Sequence, residues 1–252
     1  MTMGLVLVLS CLRLAHVHLL WADEDYHLAA AINVLHGKVP YRDFWYDKPP
    51  LSAFYYLPIG GFASWPLRLL DAAYICAACY LTYRLARCWW GEAEGYAAAS
   101  LLAFFTTFYL PSAVIPFAAD AVMLVPHLAA VYFAYCRKPV WAGVFCGIAF
   151  LANAKALFVL ATCAAWLMPE VIWLIVGFAL PVAAGFLVMF FAGAWPGYVE
   201  QVWRWGLIYT KGSPVTHPLA NGTARTFNWI GFHAALALGA MGALRRVNRD
   251  DR

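Results

Sequence analysis

Charged residues are scarce in this chain. Only 12% of its 252 residues are Asp, Glu, Lys or Arg, whereas soluble domains carry about 25%. The hydrophobic fraction is 64% and the mean hydropathy is +0.69, so too few polar side chains remain to coat a water-facing surface. The composition therefore excludes a water-soluble globule and predicts a polytopic membrane protein.

Other signals are also missing. The net charge of +4 includes no basic run outside residues 245–252, which excludes nucleic-acid binding. The N-terminal apolar run lacks a basic n-region and an A-x-A cleavage site, so it predicts a first membrane span and not a signal peptide. Cys76 and Cys79 have C-x-x-C spacing, but the second half of a zinc pattern is absent, which favours helix packing over redox or metal chemistry.

Long apolar stretches dominate what is present. Because a helix needs about 20 mostly apolar residues to cross the hydrocarbon core, we expect an all-α fold, a transmembrane helix bundle of about eight spans. A single module over residues 1–252 is predicted. The expected spans are residues 4–20, 67–86, 95–110, 117–136, 140–152, 156–167, 171–194 and 229–244.

The basic loops predict the orientation of the bundle. With a cytoplasmic N-terminus, three clusters of Lys and Arg fall on the cytoplasmic side, and so does the C-terminus. The clusters are Arg84 with Arg87, Arg137 with Lys138, and the tail 245–252. The expected location is a bacterial inner or plasma membrane, with two long polar segments, 21–50 and 195–228, on the outer face. We expect these external loops to hold the chemistry.

The first external loop, residues 21–50, is the least membrane-like part of the chain. Apolar Leu28, Ile32 and Leu35 recur at helical spacing before Gly37, which predicts an amphipathic interfacial helix. Three acids stand where the first span leaves the lipid, and they either cap this helix and offset its dipole or take part in chemistry. These acids are Asp23, Glu24 and Asp25.

A family resemblance rests on the order of residues in this loop. An acidic pair just after the first span is followed by a Tyr, a helix ending in Gly, a Pro-Tyr-x-Asp stretch and Lys-Pro-Pro. The matching positions are Asp23, Glu24, Tyr26, Gly37, Pro40, Tyr41, Asp43, Lys48, Pro49 and Pro50. This pattern resembles the first loop of the GT-C glycosyltransferases, in the branch with dolichyl-phosphate-mannose protein mannosyltransferases and bacterial lipid A aminoarabinose transferases. Weaker similarities at Asp120 and Lys155 extend it over roughly the first 170 residues.

The resemblance implies transfer of a sugar, with inversion, from a polyprenyl-phosphate donor to a lipid, glycan or protein acceptor on the outer face. Asp23 would be the base that takes the acceptor's hydroxyl proton. Glu24 or Asp25 would orient that base or bind a divalent cation. Lys48 would offset the charge on the leaving phosphate; the alternative is a lysine that snorkels to the membrane surface.

Further substrate contacts are expected at six other positions. They are Asp25, Tyr26, Tyr41, Asp43, Asp120 and Lys155. In the alternative interpretation, Arg42, Asp43 and Asp47 pair and only order the loop, and the aromatic residues around them form an interfacial belt. Asp120 and Lys155 would either face the cavity of the first loop or pair with each other without a catalytic part. The late external loop, which includes Trp203, is a candidate lid over the acceptor or carrier.

Two other functions stay open. A lipid or solute transporter would line a path with intramembrane charges, and inverted repeats would be expected for it; no clear internal repeat is present. A non-catalytic or truncated relative would only bind polyprenyl phosphate, and it is favoured by the end of the chain at Arg252, where members of the family continue with further spans.

Overall fold

The structure is a computed structural model that describes residues 3–107, 117–212, 216–234, 236 and 238–242. Across these ranges the chain is helical apart from turns and one isolated backbone bridge between Pro40 and Phe44. The predicted all-α fold class is therefore confirmed. The chain divides into two compact units, one up to Leu207 and the other from Ile208 onward, where the sequence predicted one module.

Most of the helices are short. They are α1 (Met3–Leu14), α2 (Ala22–Leu35), α3 (Leu51–Phe54), α4 (Trp65–Trp90), α5 (Glu92–Thr107), α6 (Ala119–Val122), α7 (Leu124–Tyr135), α8 (Pro139–Ala152), α9 (Leu157–Trp166), α10 (Val171–Phe191), α11 (Trp195–Tyr198), α12 (Trp205–Lys211) and α13 (Pro218–Phe232). Two 3₁₀ turns, Leu57–Ile59 and Ala154–Ala156, and a π-helical turn, Val199–Arg204, lie between them. The short elements of the first unit carry most of the site described below.

Among the described residues, one helix is long and apolar enough to cross a membrane. It is α10, whose 21 residues reach a mean hydropathy of 2.5. The first predicted span is shorter than expected: α1 ends at Leu14, because the amides of His16, Val17 and Leu19 bond to carbonyls three residues back, in turns.

The last predicted span also differs from the structure. Helix α13 begins at Pro218, inside the predicted external loop 195–228, and a proline suits the first turn of a helix because its φ is already helical. The predicted ends of two spans, at 108–110 and 243–244, and the basic tail 245–252 lie outside the described residues.

Helices α8 and α10 meet backbone to backbone. A Cβ atom added to Gly143 would lie 2.0 Å from the Leu174 carbonyl oxygen, and one added to Gly177 would lie 2.1 Å from that of Val140. Only glycine allows this approach, which is the way in which small residues pack helices in membranes. The contact holds the N-terminal half of α8 against α10.

Arg13 of α1 makes buried polar contacts with both α4 and α5. Arg13 Nη1 lies 3.0 Å from Asp71 Oδ2, and both side chains are 1% exposed. Arg13 Nη2 also donates to the Thr106 carbonyl of α5. Cys76 and Cys79 lie buried on α4 with free thiols, in the packing position that the sequence predicted for them.

Candidate functional site

A cavity of about 670 Å³ opens between the first loop and the ends of α6 and α8. Four of the predicted site residues line it, two acids and two lysines. These are Asp23, Lys48, Asp120 and Lys155. The volume falls in the range of small-molecule sites. Residues that are far apart in sequence are thus brought to one concave surface.

Asp23 reaches the cavity from the first turn of α2. Its side chain is exposed, and among the described residues no group forms a hydrogen bond or ion pair with its carboxylate. His27 follows four residues later on the same helical face and also lines the cavity. The Asp23 carboxylate is therefore free to meet a ligand.

Glu24 has a different place from the predicted one. It is fully buried, and Arg68 Nη1 and Nη2 donate to its Oε1 and Oε2 at 2.8 and 2.9 Å. The amide of Phe117 also donates to Oε1 at 2.8 Å. Neighbouring residues on a helix point about 100° apart, so Glu24 faces α4 while Asp23 faces the cavity. Glu24 therefore anchors α2, where the sequence predicted a catalytic partner or a cation ligand.

Asp25 also lies outside the cavity lining, on an exposed part of α2. Among the described residues, no group of three or more His, Cys, Asp or Glu side chains is placed to hold a metal ion. The divalent cation predicted for Glu24 or Asp25 has no such set of ligands in this part of the chain.

Lys48 enters the cavity beside Asp47. Its Nζ lies 3.3 Å from Asp47 Oδ2, with side-chain exposures of 41% and 28%. Partly exposed pairs of this kind contribute about 0–1 kcal/mol. An anionic ligand can therefore displace Asp47 from the Lys48 ammonium group at little cost in free energy.

Tyr26 and Tyr41 hold the backbone of this Asp47–Lys48 segment. The Tyr41 hydroxyl donates to the Lys48 carbonyl at 2.6 Å, and the Asp47 amide donates to the Tyr26 hydroxyl at 2.9 Å. Burial raises the pKa of Tyr41, so its hydroxyl keeps the proton that it donates. Both tyrosines lie outside the cavity lining. They position Lys48, where the sequence predicted direct substrate contacts.

Asp43 orders the loop and does not line the cavity. Arg42 donates to both of its oxygens at 2.9 Å, and the Val39 amide donates to Oδ2 at 2.8 Å. The hydrogen bonds from Arg42 and Val39 lower the pKa of Asp43 to about 2. Arg42 also donates to the Ala192 carbonyl beyond α10. This arrangement matches the alternative interpretation, in which Asp43 pairs with Arg42 and orders the loop.

Gln201 is an anchor that the sequence did not indicate. Its side-chain oxygen accepts from the Tyr46 amide at 2.8 Å, and its nitrogen donates to the Tyr41 carbonyl at 2.9 Å. Nearby, a Cβ on Gly197 would lie 2.1 Å from that same carbonyl oxygen. Position 197 therefore requires glycine. Through Gly197 and Gln201, the late loop packs against the first loop and holds it in place.

Asp120 and Lys155 form a pair at the cavity wall. Lys155 Nζ lies 2.9 Å from both carboxylate oxygens of Asp120, with exposures of 62% and 64%. Asn153 donates to Asp120 Oδ1 at 2.6 Å and accepts from the Lys155 amide at 3.0 Å. Both predicted features coexist here, because the residues pair with each other and also face the cavity.

His27 is a cavity residue that the sequence analysis missed. It is 2% exposed, its Nδ1 lies 2.6 Å from the Tyr46 hydroxyl, and its ring stacks on Tyr56 at 5.8 Å. Burial and the nearby Lys48 ammonium lower its pKa to about 4, so the ring is neutral near pH 7. Its spacing of four residues from Asp23 on a predicted helix is the signal that could have found it.

The late loop reaches the cavity through Trp203, which stacks on Phe150 at 6.0 Å. Arg204 instead pairs with Glu200 at 3.1 Å, away from the cavity lining. An aromatic plane beside charged groups suits the face of a sugar ring as well as a lipid chain. Trp203 therefore adds an aromatic wall to a cavity whose lining is mostly apolar between its charged side chains.

Comparison of the chain with protein-family models, with curated proteins and with solved structures finds no match.

Proposed function

We propose that this chain is an integral-membrane glycosyltransferase of the GT-C type. It would transfer a sugar, with inversion, from a polyprenyl-phosphate donor to a lipid, glycan or protein acceptor at the outer face. The observation that carries this proposal is the cavity in which Asp23, without a protein partner among the described residues, lies with Lys48 and Lys155. One base and a cationic phosphate clamp are the groups that such a transfer needs.

The membrane location draws support from apolar side chains that the protein leaves uncovered. On α10, Phe191 is 82% exposed and Val188 is 67% exposed, and on α9 Phe158 is 78% exposed. Continuous apolar surface of this kind requires a partner or lipid. We infer a multi-pass bundle of about eight spans, in a bacterial inner or plasma membrane, with both termini cytoplasmic and the cavity on the outer side.

In the proposed reaction the acceptor hydroxyl attacks the anomeric carbon from the side opposite the lipid phosphate. The new C–O bond forms as the bond to the phosphate oxygen breaks, and the phosphate leaves with the bonding electron pair. Asp23 takes the hydroxyl proton. Attack from the opposite face inverts the configuration of that carbon.

The phosphate would be held by Lys48 and Lys155. Each ammonium now pairs with an acid that is partly exposed (Asp47) or exposed (Asp120), in interactions worth about 0–1 kcal/mol. A phosphate can exchange with these acids, since breaking such weak pairs costs little and the phosphate offers each ammonium a charge-assisted hydrogen bond in return. The buried partner of Arg68, Glu24, could not be exchanged in this way without a large cost.

The test uses the purified protein in nanodiscs with a panel of radiolabelled polyprenyl-phosphate sugars. Released polyprenyl phosphate is measured with and without a membrane extract that supplies acceptor. We expect release in the wild type and a loss of at least about 100-fold in Asp23→Asn. Glu200→Gln, which removes an exposed acid outside the cavity lining, is the matched control.

Other outcomes separate the alternatives. Unchanged release by Asp23→Asn would overturn the assigned base. Saturable carrier binding without release, lost in Lys48→Ala but kept in Lys38→Ala, would favour a binding-only relative. Movement of label across sealed vesicles without a new glycosidic bond would favour a transporter.

A further inference from the structure

A line of buried hydrogen bonds ends at His27. The Ser52 hydroxyl lies 2.5 Å from the Pro49 carbonyl oxygen, the Tyr46 hydroxyl lies 2.8 Å from Ser52 Oγ, and His27 Nδ1 lies 2.6 Å from the Tyr46 hydroxyl. Ser52, Tyr46 and His27 are each at most 2% exposed. Because water does not reach these atoms, one partner in each of the three contacts must donate a proton to the other.

The carbonyl at one end fixes the direction of every proton. A carbonyl only accepts, so the Ser52 hydroxyl donates its single proton to the Pro49 carbonyl and must accept a hydrogen bond from Tyr46. The Tyr46 hydroxyl then donates its single proton to Ser52 and must accept a hydrogen bond from His27. The network assigns a proton to His27 Nδ1, and in the neutral ring the lone pair stands on Nε2.

No protein group within the described ranges hydrogen-bonds to Nε2 of His27, although the ring lines the cavity. One face of the ring is covered by Tyr56, and Nδ1 is taken by Tyr46. Nε2 is then an acceptor without a protein donor at the cavity surface, and only water or a molecule bound in the cavity can donate to it.

We propose that His27 binds the sugar of the donor, with Nε2 accepting a hydrogen bond from a sugar hydroxyl. This inference rests on the proposed function and adds the orientation of the donor. A lone pair repels a phosphate oxygen and attracts an O–H group, so the sugar lies at His27 and the phosphate at Lys48 and Lys155. Because Nε2 is occupied by the sugar hydroxyl, Asp23 remains the residue that takes the acceptor proton.

The test compares two kinds of probe in nanodiscs: undecaprenyl-phosphate glucose, galactose and mannose, which carry hydroxyls on a ring, and undecaprenyl phosphate, which carries no sugar. In His27→Asn the amide nitrogen stands near Nδ1 and keeps a donor toward Tyr46, but Nε2 is gone. We expect the hexose carriers to bind about tenfold more weakly and undecaprenyl phosphate to bind as in the wild type. His36→Asn, on an exposed turn at the end of the same helix, is the matched control.

A second measurement needs no variant. Nitrogen-15 NMR of the histidine-labelled wild type should give His27 a protonated Nδ1 and an unprotonated Nε2, and the Nε2 signal should shift with a hexose carrier but not with undecaprenyl phosphate. A proton on Nε2 in the free protein would overturn the inference, whether or not the variant folds.

The two proposals fail differently. If hexose carriers bind and turn over but bind equally well to His27→Asn, the role of His27 is wrong and the transferase stands. If no carrier binds to the folded wild type, both proposals are overturned.

Discussion

Glu24 and Arg68 meet through two hydrogen bonds of 2.8 and 2.9 Å, and neither side chain is more than 2% exposed. The pair fixes α2 against α4. Since adjacent helical residues point in different directions, fixing Glu24 toward α4 also fixes Asp23 toward the cavity. One acid of the motif is thereby used for structure, and its neighbour stays free for chemistry.

Loss of this ion pair should destabilise the fold strongly. Arg68→Met leaves the Glu24 carboxylate buried without its cation, and we expect the free energy of unfolding to fall by about 3–5 kcal/mol. Thermal unfolding in detergent micelles, followed by circular dichroism, measures the change. In Arg204→Met, which breaks an exposed pair with Glu200, the change should stay below about 0.5 kcal/mol. An equally small change in Arg68→Met would contradict the anchoring role of the buried pair.

The first loop shows which parts of a structure are local in sequence. Helix α2 was predicted from periodicity and from Gly37, and it ends at Leu35 with Gly37 at a φ of +79°. Of the predicted apolar face, Leu28 is buried whereas Ile32 and Leu35 are exposed. Helix type and helix end depend on neighbouring residues, but burial depends on what packs against each face, and periodicity does not contain that information.

The candidate site also has features that the sequence could predict and features that depend on the fold. The resemblance implied a base at Asp23 and a phosphate contact at Lys48, and the structure places both side chains in one cavity lining. The roles of Glu24 and Tyr41 could not be predicted, because they depend on Arg68 and on the fold of the loop around Lys48. A carboxylate and a phenol look the same in a motif whether they contact substrate or hold the chain that does.

The contact between α8 and α10 should not tolerate a methyl group. Gly143→Ala would place a Cβ 2.0 Å from the Leu174 carbonyl, and separating the helices should cost about 1–3 kcal/mol of unfolding free energy. Gly206→Ala on α12 is the control, because nothing lies within 4 Å of its added Cβ and alanine favours helix by up to about 1 kcal/mol. If Gly143→Ala unfolds at or above the wild-type temperature, the close backbone approach is wrong.

Stability should depend on pH through His27. Burial lowers its pKa from 6.5 to about 4, so between these values the unfolded chain binds a proton that the folded protein excludes. The free energy of unfolding should therefore fall by about 3 kcal/mol as the pH drops from about 6.5 to 4, and level off below. Subtracting the pH profile of His27→Gln from that of the wild type isolates this contribution. Parallel profiles would show that His27 is not buried in neutral form.

Tyr41 should act on ligand binding through the Lys48 carbonyl. Tyr41→Phe removes the 2.6 Å hydrogen bond, which frees the Lys48 backbone and should weaken binding of undecaprenyl phosphate about fivefold, the equivalent of about 1 kcal/mol. Tyr209→Phe, on an exposed ring, should bind as the wild type does. Binding measured in nanodiscs decides the matter, and undiminished affinity in Tyr41→Phe would mean that Lys48 is positioned by other contacts.

The proposed orientation in the membrane can be tested at two exposed positions, one from each side. Lys38 follows α2 in the first loop and Arg87 lies near the end of α4. In a background whose seven cysteines are replaced by serine, Lys38→Cys should react with a membrane-impermeant maleimide in intact spheroplasts. Arg87→Cys should react only after permeabilisation, because basic loops stay cytoplasmic. Labelling of Arg87→Cys from outside would show that the proposed topology is inverted. The cavity would then lie on the cytoplasmic side, away from a donor at the outer face.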